Sequence, residues 1–421
     1  MSKSTQPAAP GCDEYDPNSL SVSEAHTRIM ELAVPVDGEE QLLIREALGR
    51  VLASDVISPL DVPPYPNSAM DGYAVRSADL PADGTSTLQV IGTSWAGDPF
   101  TGEVGQSQCV RIMTGAKMAN GSDTVIMQEH VEHSDDAIRI GPGHRAGQNV
   151  RHPGEDIKQG SAVLAAGTKI DPAELGVLAS LGIAEVTVRR RLRVAFFSTG
   201  DELRPVGEPL RDGQIYDSNR YTLYGMLTRL DVELVDMGVI RDQREAVEAA
   251  FREAGNTADV VITSGGVSVG DADYVKETVD RIGEVGFWKI AMKPGKPLAF
   301  GKVGDAVFFG LPGNPVSVMA TFCQLVAPAL RHMTGQHVDT TVVIKVRCES
   351  HLKKRPGRVD FQRGRLRYDD SGELVVSSTG LQGSHVLTSM SNADCFIILP
   401  ADQGDVEPGS IVDVQPFAGL I

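Results

Sequence analysis

The chain is poor in cysteine and contains no long apolar run, and both absences narrow what it can be. Its five cysteines, among 421 residues, are widely scattered and include no C-x-x-C pair, so the sequence predicts neither a disulfide framework nor a zinc knuckle. No segment approaches the roughly 18 uninterrupted apolar residues of a membrane-spanning helix, and the N-terminus has no apolar signal-peptide core. These absences predict a soluble, cytoplasmic protein that does not act at a membrane.

Positive charge is also scarce. The chain carries 39 Lys and Arg against 56 Asp and Glu, which gives a formal charge of −17. Nucleic-acid binding draws most of its affinity from basic side chains that neutralise phosphates, so this balance argues against nucleic acid as the main partner. An anionic ligand must therefore be held at a local exception to the average charge. A hydrophobic share of 41% suffices for several packed cores, and the length predicts roughly two to four domains.

The first half of the chain begins with helices and continues as strands. Helical periodicity covers residues 22–55 and includes a second predicted helix over 39–53. Short strands separated by Gly and Asp turns follow over 73–140 and indicate a small β-rich domain. Farther on, Asp171 before Pro172 is typical of a helix start, with an N-cap residue followed by proline at the first helical position.

The second half changes character at residue 192. Short apolar strands alternate there with amphipathic helices, two of them predicted at about 219–230 and 243–254. This alternation predicts a three-layer α/β domain with a largely parallel sheet, extending to about residue 333. The remaining strands, separated by Gly, Asp and Pro turns, predict a small all-β domain.

Four loops of the α/β part carry candidate chemistry, because ligands of open α/β sheets bind at the carboxyl ends of the strands. Glycine at such an end lets backbone N–H groups turn toward a phosphate or another oxyanion. The Ser-Gly-Gly stretch at Ser264 is therefore a candidate phosphate cradle, although simple turn formation is an equal alternative before its neighbours are considered. The four loops are Thr199 to Glu202, Ser264 to Asp273, Lys289 to Pro297 and Leu311 to Pro315.

One of these loops is unusually basic. Between Glu284 and Asp305 the chain holds four lysines and no acidic residue, within an otherwise acidic protein. A solvated lysine face is the simpler explanation. However, Lys293 and Lys296 stand beside Pro294, Gly295 and Pro297, and this rigidity preorganises charge in a way that favours anion binding.

Several acidic and polar residues have two interpretations each. Carboxylates on two strand-end loops are able to share a divalent cation of the magnesium type, although turn formation is the alternative and the better one for Asp271. The carboxylates are Asp201, Glu202, Asp271 and Asp273.

Other positions have structural interpretations as well. Asp242 with Glu245 matches a capping box, and Asn314 before Pro315 marks a helix start whose first-turn amides would be available to an anion. Asp71 precedes a glycine and is compatible with a simple hairpin turn. His130 and His133 resemble part of a metal cluster, but strand alternation and exposure argue against one. No histidine has a Ser or Cys partner motif, so a hydrolase triad has no support.

Taken together, the motifs resemble those of the molybdopterin molybdenumtransferase family, which is related to the C-terminal domain of gephyrin. The resemblance covers residues 20–420 approximately. It rests on eight segments in the family's order, namely Pro66 to Ala74, Arg111 to Ala116, Gly154 to Asp156, Ser198 to Leu203, Asp217 to Asn219, Thr263 to Asp273, Lys293 to Pro297 and Leu311 to Pro315.

The resemblance implies a homodimer of elongated, multidomain α/β and β subunits. After a disordered tail over 1–15, the expected domains are a discontinuous domain I at 16–60 and 145–190, a β-rich domain II at 61–144, an α/β molybdopterin-binding domain III at 191–333 and a β-barrel-like domain IV at 334–421.

The family's reaction inserts molybdenum from molybdate into adenylylated molybdopterin and releases AMP with the help of Mg²⁺. The resemblance therefore implies catalytic roles for Asp71, Thr114, Asp156, Glu202, Asp242, Asp273, Lys289 and Lys293, with Glu202 and Asp273 near the cation. It implies substrate contacts for Thr199, Gly200, Ser264, Gly265, Gly266, Ser268, Lys296, Pro312, Asn314 and Pro315, and molybdate contacts for Arg358 and Ser389.

Asp71, Thr114 and Asp156 belong to the first two expected domains, which approach the partner's α/β domain in the family, so the site would be composite. We expect no fused adenylyltransferase in the chain, so a separate protein is expected to supply the adenylylated substrate. Two alternatives remain: a molybdopterin-binding scaffold like the receptor-anchoring form of gephyrin, and a molybdopterin adenylyltransferase, which shares the α/β domain. The retained lysines and carboxylates favour a catalyst.

Overall fold

The computed structural model describes residues 16–265, 274–337 and 341–418. The predicted tail over 1–15 and the candidate site residues Gly266, Ser268, Asp271 and Asp273 lie outside the described residues. The chain divides into two compact units. The smaller unit contains Gln41–Leu48 and Leu52–Thr187, and the larger unit contains Met1–Glu40, Gly49–Val51 and Val188–Ile421.

The helices of the described residues are α1 Val22–Leu32, α2 Pro172–Ser180, α3 Ser218–Thr228, α4 Arg244–Thr257, α5 Tyr274–Ile282, α6 Pro315–Thr321, α7 Ala327–Met333 and α8 Thr388–Ser391. Short 3₁₀ segments occupy Ser77–Asp79 and Gln128–His130, and a π-helical turn over Phe322–Val326 joins α6 to α7.

The strands up to the end of the smaller unit are β1 Glu39–Leu43, β2 Val56–Ile57, β3 Asn67–Ser68, β4 Gly72–Val75, β5 Ser86–Ser94, β6 Gln108–Ile112, β7 Thr124–Met127, β8 Val131–Ser134, β9 Ala137–Ile140, β10 Val150–Arg151, β11 Ala162–Leu164 and β12 Glu185–Arg189.

The later strands are β13 Arg193–Thr199, β14 Leu203–Arg204, β15 Ile215–Tyr216, β16 Glu233–Ile240, β17 Val260–Ser264, β18 Gly283–Lys289, β19 Met292–Lys293, β20 Pro297–Val303, β21 Ala306–Leu311, β22 Ile344–Cys348, β23 Val359–Tyr368, β24 Leu374–Ser378, β25 Cys395–Leu399 and β26 Ile411–Pro416.

The first predicted helix is confirmed and the second is wrong. Ser21 caps α1 in a reciprocal capping box with Glu24, and the helix buries its apolar face in the larger unit. The segment predicted as helix over 39–53 instead forms β1 and a series of turns. Gly49 has a φ of 83°, in the left-handed region, which an α-helix does not contain. The apolar residues of this segment are spaced as in a helix, but turns place them in the structure.

The smaller unit is built on one six-stranded sheet, in the order β7-β4-β6-β5-β9-β8. All its pairings are antiparallel except that of β5 with β6. Residues such as Val75, Leu88 and Ile126 form its core. The β-rich interpretation of 73–140 is therefore confirmed. The helix start at Asp171 is confirmed too, since α2 has Asp171 at its N-cap position and proline at the first helical position.

The larger unit contains a second six-stranded sheet, in the order β16-β13-β17-β21-β20-β18. The first four strands are parallel, and β20 and β18 complete one edge in antiparallel pairing. Helices α1, α3, α6 and α7 pack on one face, and α4 and α5 pack on the other. The predicted three-layer α/β architecture is confirmed. Apolar strands that alternate with amphipathic helices pack compactly when the helices cover both faces of the sheet.

The C-terminal part of the larger unit is a closed five-stranded barrel. Strands pair in the order β23-β24-β22-β26-β25, and β25 returns to β23. Val346, Val376 and Val414 lie in its core. The short strand β19 adds to β23 from outside the barrel. Among the described residues, no helix is both long and apolar enough to cross a lipid bilayer.

Candidate active site

The carboxyl ends of three parallel strands lie side by side in the larger unit. Ser198 in β13 is the register partner of Ser264 in β17, and Ser264 is the partner of Leu311 in β21. The N–H of Gly265 donates to Leu311 O at 3.2 Å. At the φ of 90° that Gly265 adopts, a Cβ atom would lie 2.9 Å from Thr199 O, so the turn requires glycine. The predicted strand-end loops therefore meet at one edge.

Asn219, which sequence reasoning did not select as a site residue, joins two of these loops. Its Nδ2 donates to Ser264 Oγ at 2.8 Å and to Gly313 O at 2.7 Å. Its Oδ1 and the hydroxyls of Ser198 and Thr263 are buried and have no hydrogen-bond partner within the described ranges. A buried polar group without a partner is destabilising by about 1–3 kcal/mol. Asn219 and Ser198 lie on the same face of this edge, where two such groups indicate a site that a polar ligand completes. The side chain of Thr263 points to the opposite face of the sheet, as that of its register partner Phe197 does.

Carboxylates gather just beyond β13. The N–H of Asp242 donates to Asp201 Oδ1 at 3.3 Å. Burial raises the pKa of Asp242, and the nearby charges of Asp201 and Glu202 raise it further. A Cβ on Gly200 would lie 2.6 Å from Glu202 Oε2, so the close approach of the Glu202 carboxylate depends on glycine. In the described part of the chain, no three His, Cys, Asp or Glu side chains are already arranged to hold a metal ion.

The predicted capping box at Asp242 is wrong. Helix α4 begins at Arg244, Gln243 occupies its N-cap position and no side chain caps the helix. Asp242 lies one residue too early for a cap, because its backbone N–H is held by Asp201 in the neighbouring loop. The local spacing matched a capping box, but a contact between two loops determined the start of the helix.

The predicted helix start at Asn314 is confirmed. Asn314 is the N-cap residue of α6, Pro315 is the first helical residue, and the Val318 N–H donates to Asn314 O at 3.0 Å. Pro312 lies just after β21 and before this cap. The first-turn amide of Val316 already donates to a carbonyl of the barrel, so the amides of this turn are not all available to an anion.

Lys289 is held by a residue that precedes the first helix. Its Nζ lies 2.7 Å from Asp16 Oδ2, and this hydrogen bond lowers the pKa of Asp16. Leu20 forms a parallel bridge with Ile290, so the chain before α1 lies along the basic segment. The Ile290 N–H in turn donates to Lys296 O at 2.6 Å. No sequence pattern links residues so far apart, so Asp16 was missed.

A cavity of about 680 Å³ opens beside Lys293, within the volume range of small-molecule sites. Strand β19, which contains Lys293, pairs with the barrel strand β23. Residues of the α/β domain and of the barrel therefore both line the cavity. Its lining includes four basic side chains and one buried carboxylate, from Lys293, Lys353, Arg358, Arg363 and Asp360. This cluster of basic side chains is a local exception to the negative average charge of the protein, as anion binding requires.

Arg363 was also missed by sequence reasoning, although it occupies the barrel wall of this cavity. It is only 1% exposed, and burial lowers its pKa to about 10. Its Nε donates to Ser389 Oγ at 3.0 Å, and the Ser389 hydroxyl donates to Val386 O at 2.6 Å. Ser389 therefore orients Arg363. A charged residue inside a strand pattern predicts exposure, so no local signal marked Arg363 as buried.

In the smaller unit, Asp71 and Thr114 form a compact pair. The backbone N–H and the hydroxyl of Thr114 donate to Asp71 Oδ1 at 2.7 and 2.8 Å. These bonds, the backbone one above all, lower the pKa of Asp71. The Asp71 carboxylate thus accepts hydrogen bonds from Thr114, which is distant in sequence. A simple hairpin turn at Asp71 does not require such a contact. Asp156 lies elsewhere in the unit, in a cavity of about 480 Å³ that Asn67 and Arg151 also line.

The two histidines that resembled a metal cluster have other neighbours. His133 Nδ1 lies 3.2 Å from the hydroxyl of Tyr73, and the His130 ring lies 6.1 Å from that of His144, centroid to centroid.

Three family descriptions match successive parts of the chain. Residues 20–182 match "MoeA N-terminal region (domain I and II)", residues 195–332 match "Probable molybdopterin binding domain", and residues 345–417 match "MoeA C-terminal region (domain IV)".

Curated relatives match along almost the whole chain. A molybdopterin molybdenumtransferase from Haemophilus influenzae is 45% identical over 410 residues, which are 96% of this chain and 100% of that protein. One from a Nostoc species is 35% identical, over 93% of this chain and 92% of that protein. A solved molybdopterin biosynthesis MoeA protein from Pyrococcus horikoshii has a TM-score of 0.81 at 28% identity, over 94% of this chain and 100% of that chain.

The fold and the candidate site are those of a multidomain enzyme, with unpartnered polar groups at the strand ends of an α/β domain and a basic cavity against a β-barrel. The chain belongs to the molybdopterin molybdenumtransferase family, and the resemblance inferred from its motifs is confirmed.

Proposed function

We propose that the protein inserts molybdenum from molybdate into adenylylated molybdopterin, releases AMP and so forms the molybdenum cofactor. The observation that carries this proposal is the basic cavity at Lys293, which adjoins an α/β domain whose strand ends carry unpartnered polar groups. The basic cavity suits an oxyanion, and the strand ends suit a polar, phosphate-bearing ligand. A transferase that joins molybdate to a pterin phosphate needs both.

The strand-end edge is the proposed seat of the pterin phosphate and its adenylyl group. Thr199, Gly200, Ser264 and Gly265 lie at this edge, and Asn219 fixes the loop after β17 against Gly313. Backbone N–H groups beside glycine approach a phosphate without steric conflict. The buried polar groups there would gain ligand partners. Gly266 and Ser268, which lie outside the described residues, follow Gly265 in the sequence and belong to this proposal on that ground alone.

The basic cavity is the proposed molybdate site. Lys293 and Arg358 line it directly, and Ser389 contributes by holding Arg363. Several fixed cations around one small space offset the charge of a dianion in a protein of net charge −17. Lys289 and Lys296 belong to the same segment, and we propose that they stabilise charge on the phosphoanhydride as it breaks.

We propose that Mg²⁺ assists at the carboxylates beyond β13. Carboxylate oxygens are the ligands that Mg²⁺ prefers. Burial raises the pKa of Asp242 and the charges of Asp201 and Glu202 raise it further, and a cation would offset that repulsion. Glu202, with Asp273 and the substrate phosphates, would hold the ion. When bound, the cation would neutralise charge on the phosphates of the leaving AMP.

We propose that the working enzyme is a cytoplasmic homodimer with composite sites. Asp71, Thr114 and Asp156 belong to one compact unit and the lysines belong to the other. In this proposal, the first group of one subunit completes the site of its partner. A separate molybdopterin adenylyltransferase would supply the adenylylated substrate. The assignment of domain I to 16–60 and 145–190, domain II to 61–144, domain III to 191–333 and domain IV to 334–421 remains part of the proposal.

The direct test is to incubate the protein with adenylylated molybdopterin, Mg²⁺ and molybdate and to measure AMP release. Release that depends on molybdate is the expected result. AMP release without any molybdate dependence would contradict metal insertion. Binding of molybdopterin without AMP release would point to a scaffold, and net adenylylation of molybdopterin from ATP would point to an adenylyltransferase.

A further inference from the structure

Arg363 is a buried cation that has no counter-ion in the described part of the chain. It lies in the barrel strand β23 and lines the basic cavity of about 680 Å³, yet the residue is only 1% exposed. Within the described ranges its side chain donates to two neutral oxygens and forms no ion pair. We propose that Arg363 itself binds an oxyanion in this cavity and that Ser389 acts on that oxyanion only through Arg363. This inference rests on the proposed function, because it assigns contacts of the same substrates.

A charged group without a charged partner is unfavourable in a protein interior. Transferring a guanidinium from water to a buried site costs free energy, and hydrogen bonds to neutral groups offset this cost only in part. Burial accordingly lowers the pKa of Arg363 to about 10. The charge of Asp360 opposes that fall, but the two described side chains form no ion pair with each other. An anion bound in the cavity would supply the missing counter-charge.

The guanidinium is held in place, and part of it remains available to a ligand. Its Nε donates to Ser389 Oγ at 3.0 Å and its Nη2 donates to Gly383 O at 3.2 Å. The Arg363 backbone N–H donates to Gln382 Oε1 at 2.8 Å, so backbone and side chain are both fixed to the neighbouring loop. The N–H groups of Nη1 have no acceptor in the described ranges. Nη1 is not shut off from solvent, and the cavity is the space that Arg363 lines.

Ser389 has no proton left for an oxyanion. A serine hydroxyl carries a single proton, and that of Ser389 is donated to Val386 O at 2.6 Å. The same oxygen accepts the hydrogen bond from Arg363 Nε. Ser389 is 4% exposed and is not part of the described lining of the cavity. It is therefore a positioning residue in this proposal, because it fixes the orientation of the guanidinium without touching the ligand.

The chemistry of the free edge identifies the class of ligand. The N–H groups of a guanidinium form a planar fork, which pairs with two oxygens of a tetrahedral oxyanion. Lys293, Lys353 and Arg358 line the same cavity, so its surroundings also favour a negative ligand. Free molybdate and a phosphate group of the pterin substrate share this chemistry. The two arms of the experiment distinguish these two sources.

The test is isothermal titration calorimetry of the full-length protein, with sodium molybdate in one arm and inorganic phosphate in the other. We expect Arg363→Met to weaken molybdate binding by about tenfold or more, because a charge-assisted hydrogen bond and its counter-charge are lost. Ser389→Ala should weaken binding by about threefold, and Ser389→Thr, which keeps the hydroxyl, should weaken it less. In the Arg363→Met background, Ser389→Ala should have no further effect. Arg365→Met, at an exposed position of the same strand, should leave binding unchanged.

A purely structural role for Arg363 gives a different pattern. If Arg363 only holds the loop at Gly383 in place, Arg363→Met lowers the melting temperature but leaves the increase caused by molybdate unchanged. The inference requires that this increase itself becomes smaller, because the increase follows the affinity for the ligand. If Arg363→Met fails to fold, Arg363→Lys carries the test. Arg363→Lys keeps the charge and loses the fork, so it should weaken binding by about threefold.

Four results would each overturn the inference: unchanged affinity in the Arg363 variants, equal losses in Arg363→Met and Arg365→Met, additive effects of the Arg363 and Ser389 changes, or no binding of either oxyanion by the unmodified protein. Binding of phosphate but not molybdate, lost in Arg363→Met, would keep the contact and assign it to the phosphate of the substrate. The AMP-release assay separates the two proposals. Molybdate-dependent release with an affinity that is insensitive to Arg363 refutes this inference alone, and Arg363-dependent binding without release refutes the proposed function alone.

Discussion

Lys293 and Asp360 are register partners in the parallel pairing of β19 with β23. A lysine of the basic segment therefore lies opposite a barrel carboxylate that is only 4% exposed. Burial raises the pKa of Asp360, and the charge of Lys293 offsets part of that rise. The barrel thus contributes a charge to the cavity as well as a wall, and this charge changes with pH.

Asp360→Asn should lower the KM for molybdate at a pH above the raised pKa of Asp360. The ionised carboxylate repels an oxyanion in the same cavity, so its removal should tighten binding by about threefold, or roughly 0.7 kcal/mol. In the unmodified protein the KM should rise as pH rises through the raised pKa of Asp360, and in the variant this step should be absent. Asp370→Asn, at an exposed turn, is the control. A KM step that persists in Asp360→Asn would contradict the assignment.

Lys293→Met should reduce molybdate-dependent AMP release on the order of a hundredfold or more, because a preorganised charge at the reacting groups is lost. The methionine keeps most of the length of the side chain, so packing is little changed. Lys302→Met is the matched control, since Lys302 comes from the same acid-free segment but lies exposed on β20. Equal losses in both variants would mean that the effect is not specific to the cavity.

Thr114→Val should raise the pKa of Asp71 toward, but not to, its ordinary value. The variant loses the hydroxyl donor and keeps the backbone N–H, which is the larger cause of the lowered pKa. Because the folded-state pKa of Asp71 lies below the unfolded value of 3.8, its stabilising contribution is present above that pH and disappears as pH falls through the folded-state pKa. The stability difference between variant and parent should therefore vanish in acid.

Carboxyl carbon NMR titration of Asp71 measures the shift directly. Thr114→Ser retains a hydroxyl and should titrate like the unmodified protein. An unchanged pKa in Thr114→Val would show that the hydroxyl bond contributes nothing.

Mg²⁺ should raise the melting temperature more at pH 7 than at pH 4.5. The cation binds ionised carboxylates, and the raised pKa of Asp242 keeps that group protonated to a higher pH than an ordinary aspartate. Glu202→Gln and Asp242→Asn should each reduce the Mg²⁺-dependent shift, measured by differential scanning calorimetry. Asp212→Asn, an exposed aspartate in the nearby β14–β15 loop, should leave it intact. A shift that is equal at both pH values would place the ion elsewhere.

A mixture of Asp71→Asn and Lys293→Met subunits should recover activity if sites are shared across a homodimer. Half of the randomly mixed dimers would carry both variants, and each would keep one intact site, so about one quarter of the parental activity is expected. Each variant alone should be inactive. Absence of recovery, with mixed dimers demonstrated by native mass spectrometry, would argue that each subunit forms its site alone.

Much of the architecture was predictable because it follows from local pattern. Apolar strands alternating with amphipathic helices have few compact arrangements, so the three-layer domain followed from residues 192–333 alone. The helix starts at Asp171 and Asn314 were likewise predictable, because an N-cap residue and the proline after it determine a helix start within a single turn of chain. The helix expected over 39–53 failed because its apolar spacing fits turns as well as a helix, and Gly49 excludes the helix.

The chemistry-bearing motifs were visible in the sequence as glycines, lysines and carboxylates in short segments. Their partners were not, because a hydrogen bond or ion pair joins groups that are near in space and independent of spacing along the chain. The ion pair of Asp16 with Lys289 and the hydrogen bond from Arg363 to Ser389 are contacts of this kind. The amide oxygen of Asn67, unpaired within the described ranges, was equally invisible in the sequence. Burial, which shifts the pKa values of Asp360 and Arg363, likewise arises only when the barrel closes. The order of the motifs along the sequence thus identifies the family, and packing selects which charges are buried, paired or left for a ligand.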